Sequence, residues 1–198
     1  LLARQGFKTL LIDADLGGPN LHTIIGLPNP RVSLSDYLNK RVATLQETII
    51  EMPIHNLFLI SGAKNKLDIA NLAHEQKLKT LRAISRLAYD YILLDLGTGT
   101  SFNTIDFFTL SDSGIFVCIP EPTSIENIYR LVRSVYVRKI RQILKTERFR
   151  SLAERAEAEN EDAVINHPEY LLDLLKETDP KEGGNVERIL KSFQFKLI

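Results

Sequence analysis

Four short, nearly unbroken apolar runs recur along this chain, separated by stretches with helical patterning, and that alternation limits its folds more than any other feature. The runs are Thr9-Leu10-Leu11-Ile12, Leu57-Phe58-Leu59-Ile60, Tyr91-Ile92-Leu93-Leu94 and Gly114-Ile115-Phe116-Val117-Cys118-Ile119. A strand with one wet face alternates polar and apolar residues, whereas a strand covered on both faces of a parallel sheet does not. The stretches between them read as helices: Ser33 to Asn39 behind a serine N-cap, Asp68 to Leu87 with apolar positions at Ile69, Leu72, Leu78, Leu81, Ile84 and Leu87, and Ser124 to Leu144. Strand-helix-strand alternation predicts right-handed crossovers and an α/β fold, a doubly wound, mostly parallel sheet.

Both ends carry partial elements. Leu1 to Gln5 followed by Gly6 reads as the last turn of a helix with a glycine C-cap, so the helix body is expected upstream of residue 1. Phe193 to Ile198 alternates and then turns apolar, as a strand entering a sheet does, so a cut is expected there too. Near the C-terminus the character changes. Lys145 to Arg150 is basic, Glu154, Glu157, Glu159, Glu161 and Asp162 are acidic, and Pro168, Pro180 and Gly183-Gly184 punctuate amphipathic pieces such as Tyr170 to Leu175. Residues 1–198 are therefore expected to form a single incomplete domain, with 146–191 as a charged helical insertion whose charges form a solvated face.

Composition excludes several alternatives. A chain of 198 residues, 44% hydrophobic and 25% charged, can bury the core of one soluble domain. Lys+Arg and Asp+Glu each count 25, so bulk electrostatics does not indicate a nucleic-acid partner. Cys118 is the only cysteine, which rules out a disulfide framework within the chain and fits a reducing, cytoplasmic setting. No apolar stretch approaches the roughly 20 residues of a membrane span, and the first residues show no signal-peptide pattern.

Chemistry in open α/β sheets gathers past the carboxyl ends of the strands. Two of those ends carry carboxylates. Asp13-Ala14-Asp15-Leu16-Gly17-Gly18-Pro19-Asn20-Leu21 follows the first run, and Asp95-Leu96-Gly97-Thr98-Gly99-Thr100-Ser101 follows the third. An aspartate at a strand end often serves as the N-cap of the next helix. A second one on the same edge gives a physical reason for a divalent cation between them, and magnesium takes few protein carboxylates, drawing its other ligands from water and phosphate.

The segment Leu11 to Gly17, followed by Asn20-Leu21-His22 and Ile25-Gly26-Leu27, is similar to the switch I segment of the MinD/ParA group of P-loop ATPases, MinD and FlhG in particular. Later landmarks follow in the family's order. Ser33 to Leu38 resembles its short helix, Asn56 to Ala63 its N-L-x-x-L/I-P-A/S strand, and Tyr89 to Gly99 its switch II. Pro120-Glu121-Pro122-Thr123-Ser124-Ile125-Glu126-Asn127-Ile128-Tyr129 resembles its P-E-P-T-S turn. The match spans residues 1 to about 145.

The resemblance implies a P-loop NTPase-like fold that hydrolyses ATP to ADP and phosphate with Mg2+. It assigns Asp13 and Asp95 to the metal and its waters, Asp15 to the attacking water as the catalytic residue, and Gly17, Asn20, Gly97 and Gly99 to cofactor binding. It further implies an ATP-dependent homodimer, a protein partner or membrane surface, and a cytoplasmic protein able to sit peripherally on a membrane. The family's K-G-G-x-G-K-T/S phosphate loop would precede residue 1, so this chain alone is expected to bind ATP poorly. Gly97 matches the D-x-G-A-G of FlhG-like flagellar regulators, whereas MinD has proline there, and His22 stands where the family has Asp. Gly18-Pro19 resembles the G-P-S of the Mrp-type iron-sulfur cluster carriers, so such a carrier and a non-hydrolysing regulatory scaffold remain as alternatives. His55, His74 and His167 have no ligand-spaced partner and read as surface or turn residues. Tyr129, Val132, Val135, Tyr136 and Ile140 read as a stripe packing on the sheet, and Arg130, Arg133, Arg138, Lys139 and Arg141 as solvated cations.

Overall fold

Residues 1–15, 17–62, 74–97, 99, 101–110, 113–144, 168–192 and 194–198 are described by a computed structural model. Its α/β architecture falls into two units, Leu1–Phe107 and Phe108–Ile198. In the first, three of the apolar runs become strands of one sheet: β1 (Thr9–Asp13), β3 (Leu57–Ile60) and β4 (Tyr91–Asp95). β1 is the middle strand, parallel to β3 on one side and β4 on the other. A strand absent from the sequence reading, β2 (Ile49–Glu51), pairs antiparallel with β3, giving the order β2-β3-β1-β4.

Position in that order decides how much of each run is buried. Leu10, Ile12, Leu59 and Ile60 are fully buried, each such side chain contributing about 1.5–3 kcal/mol relative to exposure. β4, expected to be covered on both faces, is instead the last strand of the sheet, and Tyr91 and Leu93 are each 41% exposed. Its start is held by an edge-to-face contact between Tyr91 and Phe7 at 5.3 Å.

The expected N-terminal helix turn is a 3-10 turn, Ala3–Gln5, capped by Gly6. After β1 come two short helices, α1 (Leu21–Ile24) and α2 (Leu34–Leu38). Ser33 starts α2 as predicted: its backbone N–H donates to Asp36 Oδ2 at 2.9 Å, satisfying a donor that the helix start leaves free. The Leu34 N–H donates to the Ser61 carbonyl at 2.8 Å, which fastens α2 to the end of β3. Helix α3 (His74–Ile84) falls inside the predicted 68–87 stretch, whose first six residues lie outside the described ones. Ile84 and Leu87 of that stretch are buried, while Leu78 stays 38% exposed.

Helix α4 (Phe102–Leu110) leads from the loop after β4 to the fourth apolar run. That run forms β5 (Ser113–Phe116), shorter than expected, and Val117 and Ile119 beyond it are exposed. β5 pairs in parallel with β6 (Gln194–Leu197), the predicted terminal strand, in a second, two-stranded sheet. Helix α5 (Pro122–Leu144) buries Val135 and Ile140 as expected, but it packs on α6 (Pro168–Thr178), and Tyr129 of the predicted stripe remains 64% exposed. Gly183-Gly184, read as punctuation, lies inside α7 (Pro180–Ser192). A Cβ at Gly183 would come within 2.7 Å of the Lys176 Cα on α6, so the glycine permits close packing of α6 and α7. Of the predicted insertion at 146–191, residues 146–167 and the acidic cluster within them lie outside the described residues.

Candidate functional site

The parallel register of β1 and β4 sets Asp13 beside Asp95 at the carboxyl ends of neighbouring strands. The Ala14 N–H continues the ladder by donating to the Asp95 carbonyl at 2.8 Å. Asp13 is 1% exposed, and both of its side-chain oxygens accept backbone donors: Oδ1 from Asp15 N–H at 3.2 Å and Oδ2 from Leu21 N–H at 3.1 Å. Asp15 repeats the device one turn further on, its Oδ1 accepting the N–H groups of Gly17 and Gly18, both at 3.0 Å. Short acidic side chains that bond to backbone a few residues ahead stabilise a turn, and here two in succession shape the loop after β1.

The same three aspartates repel one another. Burial pushes the Asp13 carboxyl above its ordinary value; the Leu21 and Asp15 N–H groups pull it back, and the nearby Asp95 and Asp15 carboxylates push it up again. Asp95 is likewise raised, first by burial and then by the Asp15 carboxylate. A divalent cation near them would relieve both penalties. Among the described residues no group of three His, Cys, Asp or Glu side chains is arranged to hold a metal on its own. Magnesium does not require one, because it commonly takes one or two carboxylates and fills its octahedron with water and phosphate oxygens. The residues present therefore fit it.

Gly97 is where the two loops meet. A Cβ there would lie 2.6 Å from Asp15 Cγ and Oδ1, so only glycine lets the loop after β4 lie against the Asp15 carboxylate. Gly62, after β3, plays the matching part for Asp13: a Cβ on it would come 2.4 Å from Pro19 Cβ and 3.0 Å from Asp13 Cγ. The sequence reading did not single out Gly62, although it stands past a buried strand, where the strand-end rule points. Of the predicted residues, the structure brings together Asp13, Asp15, Asp95, Gly17 and Gly97. Asn20 is the N-cap residue of α1 without a side-chain cap bond, and Gly99 sits at φ +98° with open space around its Cα. His22, in α1, has a buried Nδ1 with no hydrogen-bond partner among the described residues. The loop after β4 ends at Ser101, whose Oγ accepts the Thr104 N–H at 3.1 Å and starts α4.

Comparison with known proteins bears on the family and the fold. The family model described as an AAA domain matches residues 1–148. Among curated relatives, a putative septum site-determining protein MinD of Oltmannsiellopsis viridis is 30% identical over 131 residues, covering 66% of this chain and 41% of that protein. The flagellum site-determining protein YlxH of Helicobacter pylori is 30% identical over 136 residues, covering 67% of this chain and 45% of that protein. The chain thus spans about half or less of the length of the curated relatives it matches. Among solved structures, MinD from Pyrococcus horikoshii complexed with Mg-ADP superposes with a TM-score of 0.56 at 23% identity over 64% of this chain and 51% of that one. The MinC:MinD cell division protein complex of Aquifex aeolicus gives a TM-score of 0.55 at 28% identity over 75% of this chain and 55% of that one.

Proposed function

This chain belongs to the AAA-domain family of MinD/ParA-type P-loop ATPases, and on that premise we propose that its full-length protein works as an ATP-driven dimerisation switch. ATP joins two subunits, the dimer engages a protein partner or membrane surface, and hydrolysis to ADP and phosphate releases it, so that a ligand shifts a two-state equilibrium. Division, cell-pole or flagellar positioning by a cytoplasmic, peripherally membrane-associated protein is the setting this reading favours. Residues 1–198 are taken as part of one ATPase domain that carries 146–191 as an insertion.

The observation that carries the proposal is the meeting of Asp13, Asp15, Asp95 and Gly97 at the ends of two adjacent parallel strands. Asp13 and Asp95 would hold magnesium and its waters, and magnesium, when bound, would neutralise charge on the phosphates. Asp15, oriented by the Gly17 and Gly18 N–H groups and backed by Gly97, would hold the attacking water and draw its proton. Gly17, Asn20 and Gly99 would leave backbone free to approach phosphate oxygens. Positioning of this kind supplies most of the catalysis in phosphoryl transfer.

Magnesium-dependent ATP hydrolysis by the full-length protein, with sizing in ATP and in ADP, is the test. Turnover with a dimer formed only in ATP is the expected result. Asp15→Ala should retain the ATP dimer while losing turnover by at least about 100-fold, the range in which positioned proton transfer acts. Equal rates for the Asp15→Ala variant and the wild type would remove the assigned mechanism.

A further inference from the structure

We propose that the groove between α2 and α3 docks an acidic amphipathic helix from a protein partner. The groove has a volume of about 570 Å3 and is lined by Tyr37, Leu78, Lys79, Arg82, Ala83 and Arg86. Its floor is apolar: Tyr37 is 9% exposed and packs from α2, with Ala83 beside it and Leu78 on the rim. Gln76 Nε2 donates to the Leu38 carbonyl at 3.3 Å and links α3 to α2 across the groove.

The charge on the rim selects the occupant. Lys79, Arg82 and Arg86 are all exposed, and among the described residues no carboxylate lines the groove and none of the three makes a salt bridge. Elsewhere Arg41 pairs with Asp36 at 3.4 Å and Arg130 with Glu126 one helical turn away. The chain as a whole balances 25 bases against 25 acids, so three cations around one groove, with no carboxylate beside them among its described lining residues, are a local excess of positive charge. They stand three and four residues apart, Lys79 and Arg82 on α3 and Arg86 in the turn just after it, a row of about 10 Å if the helical rise is continued. Aspartates or glutamates spaced three and four apart on a partner helix match that row, and apolar residues between them would seat on Tyr37, Leu78 and Ala83. A lipid bilayer is the poorer match: membrane-surface docking needs a projecting apolar face, whereas here the apolar side chains line a concavity.

A randomised 12-residue peptide library displayed on phage, selected against the full chain, tests the assignment. Selected peptides should pair acidic with apolar residues at helical spacing, bind more tightly at low salt, and lose at least about tenfold in affinity on the Arg82→Glu/Arg86→Glu variant but not on a distant Arg4→Glu control. Thermal melting checks that the double variant is folded, and Arg86→Glu alone keeps the test open if it is not. Peptides without acidic bias, no selected peptides, or peptides that bind the double variant equally would overturn the proposal. Sedimentation with phosphatidylglycerol vesicles that is lost in the same variant, without acidic peptides, would overturn it in favour of a lipid surface.

Discussion

The loop after β1 and the loop after β4 begin alike in sequence, an apolar strand closing on aspartate and then a glycine-containing turn, yet they are built differently. Asp13 is buried and both of its carboxylate oxygens accept backbone N–H groups. Asp95 is exposed, and its carboxylate accepts no hydrogen bond among the described residues; only its carbonyl is engaged, by Ala14. The cause lies in the sheet. β1 is flanked by β3 and β4, so its end is roofed by Gly62, Pro19 and the start of α1, while β4 ends the strand order. The Asp13 carboxylate is therefore tied into its loop while the Asp95 carboxylate is exposed, a difference that identical motifs do not reveal.

The largest expected effect tests that difference directly. Asp13→Ala leaves the Leu21 and Asp15 N–H groups without their acceptor at a buried site, each orphaned donor costing about 1–3 kcal/mol. The variant should lose roughly 2–4 kcal/mol in urea unfolding, whereas Asp95→Ala should change stability by less than about 1 kcal/mol in either direction, as substitutions of exposed residues do. Equal losses would break the comparison, because Asp95 would then be as deeply tied into the fold as Asp13.

A smaller effect sharpens it at the point where the loops touch. Gly97→Ala drives a methyl group to within 2.6 Å of the Asp15 carboxylate, and overpacking of that kind costs about 1–3 kcal/mol. Gly99→Ala meets nothing within 4 Å and carries only the strain of φ +98°, about 1 kcal/mol or somewhat more. In the full-length protein the first should lower ATP turnover at least tenfold, by displacing Asp15, and the second by less. Steady-state rates for the two variants, set beside their melting curves, separate the effects; a larger fall for Gly99→Ala would mean that contact with Asp15 is not what Gly97 provides.

The strands β1, β3 and β4 were legible in the sequence as unbroken apolar runs, the pattern of a buried parallel strand, although β4 carries that pattern without the burial. The unequal burial of Asp13 and Asp95 was not legible, because it depends on strand order, which no single run encodes. β2 escaped notice for the opposite reason: three residues, Ile49-Ile50-Glu51, are too few to show a period, and their pairing with β3 is set by the turn at 52–56. Gly183-Gly184 looked like a helix break since glycine disfavours helix interiors by about 1 kcal/mol. The close approach of α6 at Lys176, invisible from local sequence, offsets that preference at Gly183. Asp13, Asp15 and Asp95 stood out as carboxylates past apolar runs, with roles implied only by the family resemblance, whereas Gly62 and the groove beside α3 needed the packing.

The smallest effect concerns charge rather than shape. Because burial and the Asp15 carboxylate raise the Asp95 carboxyl above its ordinary value of 3.8, the folded chain binds that proton more tightly than the unfolded chain. Its ionised form therefore weighs against folding. This penalty is fully present above the raised value and fades as pH falls through it towards 3.8. Asp95→Asn removes the charge without removing a hydrogen bond, so at pH 7 the variant should melt higher than the wild type, by no more than about 2 °C for an exposed group. The advantage should vanish in acid, where the wild-type carboxyl is itself neutral. Millimolar magnesium should also narrow the gap at pH 7, by stabilising the wild type and not the variant. Melting curves across pH with and without magnesium read all three. A gain that persists unchanged in acid would mean that the substitution acts through packing, and the open aspartate at the end of β4 would then owe nothing to its charged neighbours.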